Sequence, residues 1–346
     1  MTRSHFKLAV EAEEVQMAGK QQGRTYTAEY KRKICAQVGA AGRGVLSVVA
    51  LAAAALASAG AAPSISPEPG APAPETLKGR QIILITGSTD GLGREVARRL
   101  AATGAHIIVH GRNRERGLEV VDEIKKERKG SAAFYAADLA SLEQVRKLAE
   151  AILRDYDRLD VLINNAGVFS TAGGRQLSAD GYELHFAVNY LSGFLLTRLL
   201  LPRMVSSAPS RIVNVASVSQ TPIDFDDVML ERGYSAGRAY AQSKLAQIMF
   251  TFDLARELDG TRVIVNAVHP ASLMDTNMVR QTRARPRTTV YEGAASVLQL
   301  VTAPGLGSGQ YFDQTSPSQA NIQAYDREAR EKLKRLSLQL TGDPGR

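Results

Sequence analysis

The stretch QIILITGSTDGLGREVARRL, residues 81–100, contains a strand signal, a glycine-rich turn and a helix signal in immediate succession. Four consecutive Ile and Leu residues at 82–85 are typical of a strand that is buried on both faces. After the glycines, Leu92, Val96 and Leu100 recur at helical spacing. A strand that leads directly into a helix is the opening of a βαβ unit, so this stretch predicts a parallel sheet.

The same alternation continues towards the C-terminus. Further apolar, β-branched runs that predict strands occupy 106–110, 132–137, 159–163, 211–216, 262–268 and 309–313. Between them, helical patterns occupy 91–103, 113–128, 141–155, 179–203 and 237–258. Strands that alternate with helices of this length indicate an α/β fold. We therefore predict one domain with a Rossmann-type, doubly wound parallel sheet of about seven strands.

The first 78 residues differ in composition from the rest. An uncharged, Ala-rich run at 45–62 follows a basic segment, and a Pro-rich segment at 64–75 is typical of an extended linker. A basic segment before an apolar run is the outline of a secretory signal or of a weak membrane span. Because half of the run is alanine and it is only weakly hydrophobic, we expect residues 1–78 to be a poorly ordered extension, with membrane association as the alternative, and residues 79–342 to form the folded domain.

Charge, cysteine and histidine content argue against several classes of protein. The net charge of +8 is not concentrated in the stripe that is typical of a nucleic-acid-binding protein, so we expect no nucleic-acid partner. The five histidines lack metal-ligand spacing, and we expect no metal site. Cys35 is the single cysteine, so residues 81–346 form no disulfide, which suits a reducing, cytoplasmic location.

The turn after the first predicted strand is suited to hold a phosphate group. Its glycines allow close approach of backbone N–H groups, and the following helix N-terminus carries partial positive charge. Its position between a strand and a helix is the context that a dinucleotide site requires, although the spacing here is Gly-x-x-x-Gly-x-Gly. We expect cofactor contacts from Gly87, Ser88, Thr89, Asp90, Gly91, Leu92 and Gly93.

The end of the second predicted strand indicates which dinucleotide binds. An acidic residue there would bind the ribose 2′-hydroxyl of NAD, whereas an arginine accommodates the 2′-phosphate of NADP. The chain has Arg112 at this point, nineteen residues after Gly93. This favours NADP(H), with NAD(H) as the alternative; Asp90 in the glycine loop argues in the opposite direction.

The segment AYAQSK, residues 239–244, places a phenol and an ammonium group four residues apart. On a helix, Tyr240 and Lys244 would be neighbours on one face. A positive charge beside a phenol favours the phenolate and lowers its pKa, so the pair has the composition of a general acid/base. The alternative is a surface tyrosine stacked on a lysine stem.

Motifs along residues 81–342 resemble, in order and spacing, those of the short-chain dehydrogenase/reductase family. They are TGSTDGLG (86–93), ADL (137–139), NNAG (164–167), VNY (188–190), IVNVAS (212–217) and YAQSK (240–244). The resemblance implies a catalytic set of Asn189, Ser217, Tyr240 and Lys244. It also implies further cofactor contacts from Asp138, Leu139, Asn165, Ala166, Gly167, Tyr240, Lys244, Pro270 and Thr276. One departure is Ala271 after Pro270, where the family usually has glycine.

A closer resemblance is to retinol-dehydrogenase-like members, because of the long interval between Ser217 and Tyr240 and the C-terminal segment 309–342. It implies hydride transfer between a nicotinamide and a small-molecule alcohol or carbonyl, and we expect NADPH-dependent reduction of an apolar ketone or aldehyde. Tyr240 would donate the proton, Ser217 would orient the substrate oxygen, Lys244 would lower the pKa of Tyr240 and hold the nicotinamide ribose, and Asn189 would hold a water. The alternative is a cofactor-binding regulator without turnover, which usually lacks the Tyr or the Lys. We also expect a homo-oligomer.

Overall fold

The computed structural model describes residues 65–67, 77–170, 174–282 and 284–343. The Ala-rich run at 45–62, on which the alternative of membrane association depends, lies outside these residues. Within the described ranges, no helix combines the length and the apolar character that a membrane span requires.

The described part of the chain contains one sheet of eight strands in the order β3-β2-β1-β4-β5-β6-β7-β8. The first seven pair in parallel, which confirms the predicted doubly wound sheet, and β8 pairs antiparallel with β7. β8 was not predicted, because its three exposed residues read Ser-Pro-Ser, and proline is tolerated only at an edge. The strands are β1 Ile82–Ile85, β2 His106–Gly111, β3 Ser131–Ala136, β4 Val161–Asn164, β5 Ser210–Val215, β6 Val263–His269, β7 Gln310–Asp313 and β8 Ser316–Ser318.

The five helices predicted between residues 91 and 258 are present with one change, and the helices after residue 258 were not predicted. The segment predicted as a helix over 179–203 begins as a π-helix, Phe186–Leu191, and continues as an α-helix. The α-helices are α1 Gly91–Ala101, α2 Arg114–Glu127, α3 Leu142–Asp155, α4 Ser192–Ser206, α5 Ala236–Glu257, α6 Asn277–Arg280, α7 Val290–Thr302 and α8 Arg327–Thr341. A short 3₁₀-helix, Ile322–Tyr325, precedes α8.

The core lies on both faces of the sheet. All four residues of β1 are buried, and they alternate between two apolar clusters. Ile83 and Ile85 face the cluster that contains side chains of α1, α2 and α7. Ile82 and Leu84 face the cluster that contains side chains of α3, α4, α5 and α8. Burial on both faces explains why β1 is continuously apolar.

The strand order places the candidate site. The chain runs outward from β1 to β3 and then returns to the other side of β1 with β4, so the order reverses between β1 and β4. In open α/β sheets, ligands bind outside the carboxyl ends of the strands at such a point. The loops after β1, β2, β4, β5 and β6 therefore meet at one edge.

Candidate active site

The glycine-rich turn after β1 has the backbone conformation that its glycines predict. Gly87 and Gly91 have φ angles of +64° and +51°, in the left-handed region that side chains disfavour. A Cβ on Gly93 would overlap the carbonyl oxygen of Gly87, and a Cβ on Gly87 would crowd Ala166. The turn is therefore compact and leads into the N-terminus of α1, an arrangement that fits a pyrophosphate.

Thr86 and Asn165 join the glycine turn to the NNAG segment. The Asn165 side chain donates to the carbonyl oxygens of Thr86 at 2.8 Å and Gly87 at 3.0 Å. In return, the Thr86 hydroxyl accepts the backbone amides of Asn165 at 3.1 Å and Ala166 at 3.0 Å. The structure thus brings Asn165 and Ala166 against the turn, and the Asn165 side chain shapes the loop. Thr86 was missed; its only signal is its place between the strand and Gly87.

Ser88 and His110 fix the turn to the end of β2. Ser88 is buried, and its hydroxyl donates to the carbonyl of Ile85 at 2.8 Å and accepts the amide of His110 at 3.0 Å. The amide of Gly87 donates to His110 Nδ1 at 3.2 Å. Burial lowers the pKa of His110 to about 4, so the ring stays neutral and able to accept. The sequence did not identify His110, and the hydroxyl of Ser88 points inward.

Asp90 connects three segments around the turn. Its Oδ1 accepts the amide of Gly91 at 2.8 Å and caps α1. Its Oδ2 accepts Asn277 Nδ2 at 2.5 Å and lies 3.4 Å from Arg116 Nη1. Thr276 also reaches the turn, because a Cβ on Gly91 would lie 3.2 Å from its methyl group. Arg116 therefore offsets the negative charge that Asp90 brings into a phosphate-binding loop.

Arg112 and Asp138 lie together at the carboxyl ends of β2 and β3. Arg112 Nη1 is 3.9 Å from Asp138 Oδ2, and the Arg112 side chain is 67% exposed. Asp138 Oδ1 accepts the amide of Ala140 at 3.0 Å, and the neighbouring Leu139 is buried. The guanidinium is thus accessible at the position predicted for the adenosine end of the cofactor, while Thr89 packs over Gly111 beside it.

The catalytic residues predicted on α5 and after β5 converge. Tyr240 and Lys244 share a helix face, with Lys244 Nζ 5.7 Å from the centroid of the Tyr240 ring. Ser217 lies beside Tyr240, since its hydroxyl acts to lower the pKa of the phenol. Lys244 is buried and donates to the carbonyl of Val215 at 2.8 Å and to Gln247 Oε1 at 2.9 Å. The alternative of an exposed Tyr stacked on a Lys stem does not fit this burial.

Burial has the largest effect on the pKa values of Tyr240 and Lys244. It raises the pKa of Tyr240, and the Ser217 hydroxyl only partly opposes this rise. Burial also lowers the pKa of Lys244 to about 7, so this residue loses much of its charge near neutral pH. The expected lowering of the Tyr240 pKa by Lys244 is therefore wrong in this structure, because desolvation disfavours the charged form of both groups.

Asn189 lies in the π-helix beside Lys244. Its side-chain Oδ1 accepts the amide of Val168 at 2.7 Å, and its Nδ2 donates to the carbonyl of Val168 at 3.1 Å and to Ser243 Oγ at 3.0 Å. A Cβ on Gly167 would lie 3.4 Å from Asn189 Oδ1 and 3.5 Å from Lys244 Nζ. Gly167, Asn189 and Lys244 therefore meet at one point, with the Asn189 side chain already bonded to the protein.

The segment after β6 forms the remaining part of the candidate site. The carbonyl of Pro270 accepts the Ser296 hydroxyl at 2.9 Å, and Ala271 is buried. His269 Nε2 lies 3.0 Å from Ser272 Oγ, and burial lowers the pKa of His269. The alanine in place of the usual glycine is accommodated at a buried position, and the chain continues to Thr276 at the glycine turn.

Comparisons with known proteins agree with this arrangement. The family profile described as short chain dehydrogenase matches residues 81–287. Human retinol dehydrogenase 12 is 37% identical over 276 residues, which cover 76% of this chain and 86% of that protein. The residues matched by the family profile include β1 to β6 and the converging residues Ser217, Tyr240 and Lys244.

Two solved structures share the fold. A protein from Mycobacterium paratuberculosis is 31% identical with a TM-score of 0.64, over 76% of this chain and 93% of that one. A short chain dehydrogenase from Shigella flexneri, solved in complex with NADP, is 28% identical with a TM-score of 0.57, over 69% of this chain and 98% of that one. The glycine turn and the Tyr240–Lys244 pair lie at the same edge of a doubly wound sheet. The chain belongs to the short-chain dehydrogenase/reductase family and is an NAD(P)-dependent oxidoreductase that acts on CH–OH groups.

Proposed function

We propose that the protein is an NADPH-dependent reductase of apolar aldehydes or ketones, with Tyr240 as the proton donor. The observation that carries this proposal is the convergence of Ser217, Tyr240 and Lys244 at the sheet edge that also holds the glycine turn. When bound, the nicotinamide supplies the hydride. The chain's own residues must then orient the carbonyl, neutralise the developing alkoxide and exclude water.

The proposed roles follow from the contacts of each residue. The hydroxyl of Ser217 donates to the substrate oxygen, as a preorganised donor of the oxyanion-hole kind. Tyr240 delivers the proton, and its raised pKa keeps the phenol protonated at neutral pH, which suits reduction. Lys244, with a pKa of about 7, gains and loses protons near neutral pH and is placed to reprotonate the site together with a water held at Asn189.

The preference for NADPH rests on charge at the adenosine end of the proposed cofactor site. Arg112 is exposed, and Arg116 offsets Asp90, so the carboxylate in the loop is less of an obstacle to a 2′-phosphate. The likeness to a structure solved with NADP supports the same choice. NAD(H) is the alternative, and an assay with NADPH and NADH in parallel distinguishes the two.

An apolar substrate is supported by apolar side chains on Tyr240 and in the loops after β5 and β6. Phe169 packs on the Tyr240 ring with centroids 5.3 Å apart. Val218, directly after Ser217, is 49% exposed, and Leu273 in the loop after β6 is 36% exposed. The relative named retinol dehydrogenase 12 points to the same chemical class, a long apolar alcohol or its aldehyde.

A panel of retinal, straight-chain aldehydes of increasing length and small polar ketones tests the proposal. Consumption of NADPH and of NADH is followed in parallel through the absorbance of the reduced cofactor. We expect turnover with NADPH that increases with the length of the aldehyde chain. Reduction of small polar ketones alone, or equal use of NADH, would contradict the substrate class or the cofactor choice respectively.

A further inference from the structure

The loop after β4 presents one aromatic ring to the proposed proton donor. The rings of Phe169 and Tyr240 lie at an interplanar angle of 80°, in an edge-to-face arrangement with centroids 5.3 Å apart. Aromatic pairs prefer this geometry over a face-to-face stack. The orientation of the Tyr240 ring is therefore sensitive to the position of Phe169.

The backbone on both sides of Phe169 is held by the segment that enters α4. On one side, the Asn189 side chain bonds both the amide and the carbonyl of Val168, at 2.7 and 3.1 Å. On the other side, the amide of Ser170 donates to His185 Nε2 at 3.2 Å. The His185 ring also contacts the Phe169 ring, with centroids 6.1 Å apart.

A buried carboxylate fixes the tautomer of His185. Because the amide of Ser170 is a donor, Nε2 must be the unprotonated nitrogen, and the proton lies on Nδ1. Nδ1 is 2.7 Å from Glu183 Oε1, so Nδ1–H donates to this carboxylate. The other oxygen, Glu183 Oε2, accepts the amide of Phe186 at 2.8 Å. Glu183 and His185 are each 1% exposed.

A fully buried Glu–His pair carries a desolvation cost that an apolar pair of similar volume would avoid. In this chain the pair accepts two backbone hydrogen bonds: Glu183 accepts the amide of Phe186, and His185 accepts the amide of Ser170. The second of these hydrogen bonds joins the pair to the loop that carries Phe169. The polar pair thus holds the Ser170 end of the segment, and an apolar pair would remove that hydrogen bond.

We infer that Glu183, His185 and Phe169 are positioning residues for Tyr240, acting through the backbone of residues 168–170. The inference rests on the proposed role of Tyr240 as proton donor. Glu183 keeps His185 in the tautomer that accepts the amide of Ser170. His185 and Asn189 bond the two ends of the segment. Phe169, between these ends, contacts the phenol ring and orients it towards the substrate oxygen. Proton transfer requires this alignment, whereas cofactor binding does not.

The test compares four variants of the full chain: His185→Leu, His185→Gln, Phe169→Leu and His106→Leu. His106 is the matched control, since it is buried and bonds Ser131 Oγ at 2.8 Å and the Tyr156 hydroxyl at 3.0 Å. It lies in the first position of β2, at the amino edge of the sheet, away from the site. The readouts are kcat with NADPH and the most active aldehyde of the panel, Kd for NADPH from its fluorescence, and the urea midpoint.

We expect His185→Leu to lower kcat by about 10- to 100-fold, because small misplacements of a reacting group have effects of this size. Its Kd for NADPH should stay within about twofold, since ground-state cofactor contacts are unchanged. His185→Gln should recover most of kcat, because an amide offers both a donor to Glu183 and an acceptor to Ser170. Phe169→Leu should lower kcat by about tenfold with little loss of stability, and His106→Leu should lose stability and keep kcat.

Wild-type kcat in folded Phe169→Leu and His185→Leu would overturn the inference, as would a loss in His185→Leu no larger than that in His106→Leu. Phe169 is partly exposed, so its variant decides the matter alone if His185→Leu does not fold. A parallel Tyr240→Phe variant separates the two proposals. Full activity of Tyr240→Phe refutes the proposed function, whereas an inactive Tyr240→Phe beside fully active Phe169 and His185 variants refutes only the positioning role.

Discussion

Lys244 Nζ lies 5.7 Å from the centroid of the Tyr240 ring and donates to the carbonyl of Val215 and to Gln247 Oε1. Burial makes an ammonium lose its proton more easily, and the pKa of Lys244 is lowered to about 7. The phenol of Tyr240 shares this environment, and its pKa is raised. At neutral pH the pair therefore contains a protonated phenol and a lysine that exchanges its proton readily.

The pH dependence of reduction should reflect Lys244. The lysine is charged below its pKa of about 7 and neutral above it, while Tyr240 stays protonated across this range. Because reduction consumes a proton and the protonated lysine is the proposed source that resupplies it, kcat/KM for aldehyde reduction should fall as pH rises through about 7. Lys244→Arg stays charged and should lack this descending limb, at a lower overall rate. A wild-type profile that is flat across this region would contradict the assignment.

Cofactor choice should depend on Arg112. Arg112→Asp removes the phosphate partner and adds a carboxylate beside Asp138. A charge-assisted hydrogen bond contributes about 1.5–3 kcal/mol, so the ratio of kcat/KM for NADPH over NADH should fall by at least about tenfold. The measurement is the same aldehyde assay with both cofactors. An unchanged ratio would mean that another residue selects the cofactor, or that NADH is the preferred cofactor.

Arg116 provides a contrasting variant. Arg116→Gln removes the cation that lies 3.4 Å from Asp90 and leaves a carboxylate beside the pyrophosphate position. Since both cofactors carry a pyrophosphate, we expect the Kd values for NADPH and NADH to rise together, and Asp90→Asn in the same chain to restore them. Isothermal titration measures both. A selective loss of NADPH alone would instead assign Arg116 to the 2′-phosphate.

The predicted boundary at residue 79 can be tested by two truncations. Leu77 is buried in the core, and the carbonyl of Ile65 accepts Arg154 Nη2 at 3.2 Å. We expect deletion of residues 1–76 to leave a cooperatively folding, active enzyme. Deletion of residues 1–78 should be less stable by about 2 kcal/mol or more, the effect of removing a buried leucine. Loss of cooperative unfolding in the shorter deletion would show that the preceding residues belong to the domain.

Local patterns predicted the parts of the molecule that depend on local spacing. The strand, the glycine turn and the helix at 81–100 are adjacent in sequence, and Tyr240 and Lys244 are one helical turn apart, so periodicity was enough to place them. The contact of Phe169 with Tyr240 joins residues far apart in the chain, which periodicity does not report. The sign of the Tyr240 pKa shift was wrong for a related reason, since burial is set by the packed fold.

Replacement of Tyr240 by Phe tests the central claim most directly. The ring and its contact with Phe169 remain, and only the hydroxyl is lost. General acid catalysis contributes about 10²–10⁴-fold, so kcat for aldehyde reduction with NADPH should fall by that factor while the Kd for NADPH stays unchanged. A folded Tyr240→Phe protein that binds NADPH and reduces the aldehyde at the wild-type rate would contradict the account.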